Sequence, residues 1–446
     1  MAIVLLGMGT SFREYLPDQS SLFPANPRDW LPEGHLAFFI SDSVESLNLA
    51  AFYGRYEGDG RRKQPFEPRM MLKVLLYGYA TGSFSSRKIS TKLREDVAFR
   101  YLGGGCFPAH RTIAEFRQRH LSEFHDLFVQ VVRVSQDVGL VKLGTLVLDG
   151  TKIKANASKH KAMSYGRMRS EEKRLKREIR AITSRAEEED AAEDEEFGPD
   201  FVGDELPEEL ARRETRLAKI QAAKARLEQR QKEEDRGKGR SPGDHKKPKK
   251  GPPFKRRFGV PPDEKQDNFT DSDSRIMKDK NGFQQCYNAQ AAVEEKSQLI
   301  VATGLTQSAA DTGQLEPLLE TVQVNTGKRP QQALADAGYK SEDNFLYLED
   351  TGVNGYVALG KENNSPGCEP KPEQKATLRM KAKLESKRGR ARYRRRKLGE
   401  PPFGWIKAVL GFRAFSLRGV NKATSEWDLV CLALNLKRLN HMMAWA

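Results

Sequence analysis

The chain has 446 residues, enough for two or three domains with a sizeable core. It carries 76 lysines and arginines against 61 aspartates and glutamates, and the formal charge of +15 favours a polyanionic partner such as DNA or RNA. No apolar run approaches the roughly 20 residues that a membrane span needs, and the apolar residues 2–7 lack the basic lead-in of a signal peptide. We therefore expect a nucleic-acid partner and no membrane partner.

Residues 1 to about 140 predict an all-α N-terminal domain. A largely buried helix pattern spans Arg69–Tyr79, residues 81–83 break it, and a basic helix follows from Arg87 to Val97. A helix, a short glycine turn and a basic helix are the parts of a helix-turn-helix motif, although an ordinary helical domain with a solvated basic face gives the same pattern. Four cations of the basic helix are the candidate DNA contacts of this region: Arg87, Lys88, Lys92 and Arg94.

A third helix is predicted to begin at Thr112. Thr112 and Glu115 have the spacing of a capping box, and apolar residues recur at helical spacing from Ile113 to Val132. The four cysteines lie far apart without a C-x-x-C pair, which is typical of a reducing cytosol, and we interpret them as small buried side chains.

Residues 166–262 predict a charged helical insertion followed by a basic linker. Leu175, Ile179 and Ile182 form one apolar stripe, and a second, thinner stripe runs from Leu210 to Leu227, so we predict two long helices in a hairpin, separated by the acidic residues 187–196. Residues 237–257 are rich in glycine, proline and lysine, which indicates a flexible cationic linker. This linker either contacts the DNA backbone or is a solvated insertion without such a role. Its candidate DNA contacts are Lys249, Lys250, Arg256 and Arg257.

The remaining residues, 141–165 and 263–446, predict an α/β domain. A strand over Leu143–Leu148 ends at Asp149, and two hairpin-like strands are expected at 284–293 and 298–306. Alternating helices and strands follow, with helices at 311–324 and 341–350 and strands at 331–336 and 353–358. A basic helical stretch at 375–398 and a last helical part from about 402 complete the chain. This order predicts a mixed sheet of the ribonuclease-H type.

Three acidic residues, remote in sequence, are the candidate catalytic groups. Asp149 and Asp336 each follow an apolar run and precede a small residue, and Glu400 ends a basic stretch. Phosphodiester cleavage is served by two divalent ions about 4 Å apart, and hard cations of the magnesium type bind carboxylate oxygens. We therefore predict that Asp149 binds both ions, Asp336 one and Glu400 the other. The rival carboxylates Asp271 and Asp273 are interpreted as turn residues or as groups behind the metal ligands.

The spacing around Glu400 is the most specific motif in the chain. Tyr393, Arg396, Glu400 and Lys407 fit the pattern Y-x2-R-x3-E-x6-K. With residues 149–158 and 336–344, this pattern makes the chain resemble a DDE transposase of bacterial insertion sequences, from the branch with that signature. Because two prolines follow Glu400 directly, we expect Glu400 at a helix start or a kink.

The resemblance covers nearly the whole chain and implies a function. It implies a ribonuclease-H-like core, two Mg²⁺ or Mn²⁺ ions, phosphate contacts from Tyr393, Arg396 and Lys407, and a cytoplasmic, nucleoid-associated location. It also implies binding of double-stranded DNA at terminal inverted repeats, strand cleavage and strand transfer, and a homodimer on paired ends. The alternatives are a catalytically silent DNA-binding derivative and a metal-dependent nuclease without strand transfer.

Overall fold

A computed structural model describes residues 26–56, 65–197, 208–242, 256–279, 282–360 and 372–443. The N-terminal part is helical, as predicted. Its helices are α1 Leu36–Ser46, α2 Ala50–Gly54, α3 Pro68–Ala80, α4 Ser86–Glu95, α5 Val97–Gly103, α6 His110–Arg119 and α7 Leu121–Asp137. Helix α3 is buried on most of its surface, which confirms the buried helix predicted at Arg69–Tyr79.

Two helix boundaries in this region differ from the prediction. The basic helix ends at Glu95, because the Asp96 carboxylate accepts hydrogen bonds from the backbone N–H groups of Ala98 (2.9 Å) and Phe99 (3.2 Å) and so begins α5. The capping box expected at Thr112 is wrong, since α6 already begins at His110 and Thr112 lies inside it. His120 then separates α6 from α7.

A mixed six-stranded sheet forms the C-terminal part. The strands run in the order β4-β5-β1-β7-β8, and β6 also pairs with β5. Strand β1 is antiparallel to β5 and parallel to β7, and β7 is parallel to β8. The strands are β1 Thr145–Lys154, β4 Arg275–Asp279, β5 Gly282–Glu294, β6 Ile300–Thr306, β7 Gln332–Ala335 and β8 Asn354–Val357. The connecting helices α10 Leu315–Thr326 and α11 Glu342–Asp350 follow β6 and β7.

The end of the chain is helical and joins the two parts. It contains α12 Lys375–Glu385, α13 Lys387–Arg394, a 3₁₀ turn Arg395–Gly399, α14 Glu400–Gly404, a π-helical turn Trp405–Val409 and α15 Val420–Met443. Helix α15 is buried nearly all round and packs against α3, α7 and β6, as an apolar helix inside a core does. The Asn435 side chain bonds both backbone groups of Ile300 in β6, at 2.9 Å and 2.7 Å. The sheet and the N-terminal helices therefore share one hydrophobic core.

The insertion is a pair of long helices, as predicted, α8 Tyr165–Phe197 and α9 Glu208–Gly237. Their contact is a small cluster that includes Leu175, Ile220 and Leu227, flanked by ion pairs such as Glu172 with Lys176 (2.8 Å) and Lys224 (2.9 Å). The acidic residues 187–196 lie within α8 and do not separate the two helices, which corrects the prediction. At the base, β2 Ala162–Ser164 pairs with β3 Gln266–Asn268.

The predictions about the cysteines and about a membrane span can be compared with the described residues. Cys286 and Cys431 are buried, whereas Cys106 is exposed, and Cys368 lies outside the described residues. Among the helices described, none combines the length and the apolar character that a bilayer crossing requires.

Candidate active site

The sheet register sets two of the three candidate carboxylates side by side. In the parallel pair of β1 and β7, Leu148 lies opposite Ala335. Asp149 follows Leu148 and Asp336 follows Ala335, so the two aspartates lie next to each other at the end of this pairing. The strand predicted to end at Asp149 in fact continues to Lys154, because β5 pairs with it on the other side and places Ala291 opposite Asp149. Only the parallel pairing with β7 stops at Leu148. Asp149 therefore lies at the carboxyl end of the parallel pair but within a longer antiparallel one.

Each aspartate is oriented by a local backbone hydrogen bond. Oδ1 of Asp149 accepts from the N–H of Gly150 at 2.8 Å. Oδ1 of Asp336 accepts from the N–H of Gly338 at 2.8 Å and so caps the 3₁₀ turn Ala337–Tyr339. The side chains are thus held at the end of the sheet, beside the turn that follows β7.

Glu400 is brought to β1 because the preceding residue, Gly399, packs tightly against that strand. A Cβ atom added to Gly399 would lie only 2.4 Å from Cγ1 of Val147, so the backbone before Glu400 rests directly on β1. Val147 and Asp149 are two residues apart and share one face of the strand. Helix α14 begins at Glu400 with prolines in its first turn, as the Pro401-Pro402 pair predicted. The Glu400 side chain remains 56% exposed.

The electrostatics link these carboxylates to one another. Burial raises the pKa of Asp149 to about 7; the Gly150 N–H opposes this, the charges of Asp336 and Glu400 add to it, and Arg396 opposes it. Two acidic groups and one guanidinium therefore act on the partly buried Asp149 carboxyl. Burial and neighbouring negative charges both disfavour the ionised form of a carboxyl group, and both therefore raise its pKa.

The donor chemistry of this position fits a hard divalent cation. Carboxylate oxygens are the ligands that magnesium-type ions prefer, and a cation would offset the charge that raises the pKa of Asp149. In the part of the chain that the structure describes, no three His, Cys, Asp or Glu side chains are already grouped as ligands of one ion. Each aspartate accepts a backbone N–H through Oδ1, and Glu400 Oε1 lies 3.6 Å from Arg396, so a bound ion would use the remaining carboxylate oxygens or displace these contacts.

The other residues of the spaced signature lie on or beside β1. Tyr393 packs against the small cluster of Val147, Leu334 and Tyr356. The Arg396 guanidinium lies 5.5 Å from the Tyr393 ring, and its Nε is buried with no hydrogen-bond partner among the described residues. Lys407 extends along the strand, and its Nζ donates to the carbonyl oxygen of Lys152 at 2.8 Å.

The arginines around Arg396 are not equivalent. Nε of Arg395 lies 2.6 Å from Oε1 of Glu295, whose side chain is almost fully buried. Arg395 is therefore engaged with the body of the protein, whereas Arg396 acts on Asp149 and Glu400. Position 396 is distinguished from its basic neighbour by its surroundings as well as by the spacing of the motif.

The rival carboxylates stabilise turns, as interpreted from the sequence. Asp271 accepts hydrogen bonds from the Tyr287 hydroxyl at 2.9 Å and from the Gly419 N–H at 3.3 Å. Oδ2 of Asp273 accepts from the N–H of Val420 at 3.1 Å, where α15 begins. Both side chains tie the loop before β4 to the start of α15.

Sequence reasoning missed one carboxylate beside the site. Asp311 lies between β6 and α10, at a position where the sequence predicts the start of a helix. Its Oδ1 accepts from Nδ2 of Asn288 at 2.6 Å and from Nε2 of Gln290 at 2.7 Å. The amides of the run Tyr287-Asn288-Ala289-Gln290, at buried positions of β5, were the available signal.

The candidate DNA-binding cations lie elsewhere on the molecule. Arg87, Lys88 and Arg94 are exposed on α4, while Lys92 is 3.9 Å from Asp96 and 5.4 Å from the centroid of the Phe99 ring. In the linker, Arg256 and Arg257 are exposed, and Lys249 and Lys250 lie outside the described residues. Among the described residues, no cation of α4 and neither Arg256 nor Arg257 forms a hydrogen bond or ion pair with the three candidate carboxylates.

Comparison with known families adds an independent finding. Residues 262–436 match the family model described as the transposase DDE domain, and residues 25–119 match the model described as a transposase domain (DUF772). The first match includes Asp336 and Glu400, and the second covers most of the N-terminal helices. Neither a curated protein nor a solved structure matches the chain. The two matches support a transposase of the DDE type.

Proposed function

We propose that this chain, with its two transposase-domain matches, binds the terminal inverted repeats of an insertion sequence and catalyses metal-dependent DNA cleavage and strand transfer. The observation that carries the proposal is the approach of three remote acidic residues to β1. The register places Asp336 beside Asp149, and the Gly399–Val147 contact brings the start of α14 to the same strand. Burial is the main cause of the raised pKa of Asp149, and the charges of Asp336 and Glu400 add to it, which is the electrostatic sign of that approach.

The topology supports a ribonuclease-H-like core. The antiparallel strands β1, β5 and β6, which are neighbours in the sheet, are followed by β7 and β8, which are parallel to β1 and preceded by α10 and α11. This is the order of hairpin strands and alternating elements that suggested such a sheet from the sequence. In this arrangement Asp149 lies on β1 and Asp336 directly follows the adjacent strand β7, so the backbone hydrogen bonds of the sheet limit the movement of both.

The residues of the site have separate roles in the proposal. Asp149 would hold two Mg²⁺ or Mn²⁺ ions, with Asp336 on one and Glu400 on the other. When bound, such a pair activates the attacking oxygen and stabilises the leaving 3′ oxygen. Arg396, with its buried Nε, and Lys407 are suited to hold the phosphate next to the scissile bond, and Tyr393 supports Arg396 from below its guanidinium.

Binding of DNA is the other half of the proposed function. The formal charge of +15 favours a DNA backbone over neutral or cationic partners. The exposed cations of α4 and of the linker at Arg256 and Arg257 are the proposed backbone contacts. Two copies of the chain on two ends would bring both ends to one target.

The test uses the purified full chain, DNA carrying the inverted repeats that flank its gene, a target plasmid, and Mg²⁺ or Mn²⁺. Joined product supports transposition. Nicked ends without joined product indicate a nuclease, and a gel shift without cleavage indicates a silent DNA-binding derivative. Asp149→Asn should abolish nicking and leave end binding intact, whereas the exposed Asp350→Asn should change neither. Normal nicking by Asp149→Asn would remove that residue from the proposed site.

A further inference from the structure

Asp311 is held beside the candidate site by two buried amides. Asn288 and Gln290 are 1% and 0% exposed, and both donate to Oδ1 of Asp311. They belong to β5, the strand that pairs with β1, and Gln290 lies directly opposite Gly150. A carboxylate fixed by two neutral donors on a rigid strand has a defined direction, because rotation would break both hydrogen bonds.

The orientation of the Gln290 amide is fixed from its other end. Its Oε1 accepts a hydrogen bond from the hydroxyl of Tyr339, which is fully buried in the turn after Asp336. Turning the amide would place its carbonyl oxygen against the Asp311 carboxylate, two acceptors without a proton between them. The chain Tyr339–Gln290–Asp311 therefore links the turn after β7 to the loop before α10.

The second oxygen of Asp311 faces the candidate metal ligands. A Cβ atom added to Gly338 would lie 2.8 Å from Oδ2 of Asp311 and 2.9 Å from Oδ1 of Asp336. The two oxygens are therefore within about 6 Å of each other, a span that a cation together with one of its water ligands can bridge. On the other side, a Cβ added to Gly150 would lie 2.8 Å from Oδ1 of Asp311. Glycine at positions 150 and 338 leaves the room in which Asp311 approaches Asp149 and Asp336.

The hydrogen bonds of Asp311 distinguish its two oxygens. Within the described chain, both side-chain donors contact Oδ1, and Oδ2 receives none. The arrangement leaves one carboxylate oxygen of Asp311 on the side of Asp336.

We propose that Asp311 is a fourth carboxylate of this site, which binds the divalent ion on the Asp336 side through Oδ2, directly or through one of the ion's water ligands. The assignment rests on the proposed function, because it takes the metal site around Asp149 as given. Magnesium-type ions keep several waters, and the groups that hold those waters tune the affinity of the ion. Asn288 and Gln290 then serve as positioning residues that aim Asp311.

The experiment measures Mn²⁺ binding to the full chain by the loss of the free-ion electron paramagnetic resonance signal. Asp311→Asn is the matched variant, since its amide oxygen can still accept from Asn288 and Gln290 while the charge is removed. Its Mn²⁺ affinity should fall on the order of 10-fold or more, the range found when groups behind metal ligands are lost. Asp350→Asn is the control and should bind Mn²⁺ like the parent chain. Thermal unfolding with a chelator checks that each variant is folded.

A second variant keeps the test decisive if Asp311→Asn fails to fold. Gly338→Ala leaves Asp311 in place but inserts a methyl group between Asp311 and Asp336, so it should also weaken Mn²⁺ binding. Parent-like Mn²⁺ affinity in a folded Asp311→Asn, or in Gly338→Ala if the first variant is lost, overturns the assignment. A lower melting temperature with unchanged Mn²⁺ affinity would show a structural role and overturns it as well.

The outcomes also separate this assignment from the proposed function. If Asp149→Asn abolishes Mn²⁺ binding but Asp311→Asn does not alter it, only the role of Asp311 fails. If no joined DNA forms while Asp311→Asn still weakens Mn²⁺ binding, the proposed strand transfer is refuted and the role of Asp311 is supported. If the parent chain does not bind Mn²⁺, both the proposed metal-dependent function and the role of Asp311 are refuted.

Discussion

Replacing Asp149 by asparagine should stabilise the metal-free protein at neutral and alkaline pH. The amide oxygen of the new side chain can still accept from the Gly150 N–H, so the local geometry at the end of the parallel strand pair is kept. What is lost is the negative charge, which burial, Asp336 and Glu400 all disfavour in the folded chain. The same substitution that is expected to stop catalysis should therefore raise the free energy of unfolding.

The sign and the size follow from the pKa of Asp149. Its ordinary value is 3.8 and its value in the folded chain is about 7, so between these values the folded state holds a proton that the unfolded state has lost. The free energy of unfolding therefore falls as the pH rises from about 4 to about 7, and the total loss from this group is up to about 4 kcal/mol. Between about pH 5.5 and about pH 8 the expected change is about 2 kcal/mol.

The assay is urea unfolding of both proteins in a chelator, near pH 5.5 and near pH 8. The stability gain of Asp149→Asn over the parent should be larger at the higher pH by about 2 kcal/mol. Asp350→Asn, at an exposed helix end, controls for the loss of one negative charge. An equal gain at both pH values, or no gain at the higher one, would refute the view that Asp149 carries a buried and poorly compensated charge. Addition of Mn²⁺ should stabilise the parent and leave the variant unchanged.

Three further predictions address packing, acid stability and DNA binding. Gly399→Ala should lower the free energy of unfolding by about 1–3 kcal/mol and weaken Mn²⁺ binding, because its Cβ collides with Val147. Val147→Ala in the same chain should restore only part of both, since it removes Cγ1 at 2.4 Å but keeps Cβ at 2.7 Å. His120 is fully buried, and burial lowers its pKa to about 4, so the parent should lose up to about 3 kcal/mol of stability as the pH falls from about 6.5 to about 4. His120→Gln should lose less in the same urea series, and an equally acid-sensitive variant would contradict this. Charge reversal in the linker should weaken DNA binding and flatten its dependence on salt, and an unchanged slope would exclude backbone contacts there. The reversed residues are Lys249, Lys250, Arg256 and Arg257.

The fold was predictable where the local pattern and the tertiary environment agree. Helix α3 and the strands β7 and β8 lie within a residue or two of the predicted ranges, since their apolar runs are buried as expected. The helix start at Glu400 was predictable because Pro401 and Pro402 are tolerated only in a first turn. In each case the residues that define the element are contiguous in sequence.

The predicted ends of helices and strands were wrong where a distant strand or a single side chain determines where the element ends. Strand β1 continues through the polar residues after Asp149 because β5 pairs with all of them, and no local pattern announces that partner. The basic helix stops at Glu95 because one carboxylate, Asp96, caps the next helix. Similarly, Asp311 is held beside the candidate site by Asn288 and Gln290, which precede it by 23 and 21 residues.

The three predicted carboxylates also differ in what holds them, and this bears on how the site would assemble. Asp149 and Asp336 follow paired positions of a parallel ladder, so the sheet hydrogen bonds fix their backbones. Glu400 is positioned by packing alone, with Gly399 against Val147 and the tyrosine of the signature beneath Arg396. Its side chain is more than half exposed and faces Arg396, whereas Asp149 is partly buried. The strand pairing therefore holds Asp149 and Asp336 rigidly, whereas the position of Glu400 depends on the close contact of Gly399 with Val147. A methyl group added at position 399 is for this reason the most direct way to perturb the site without removing a carboxylate.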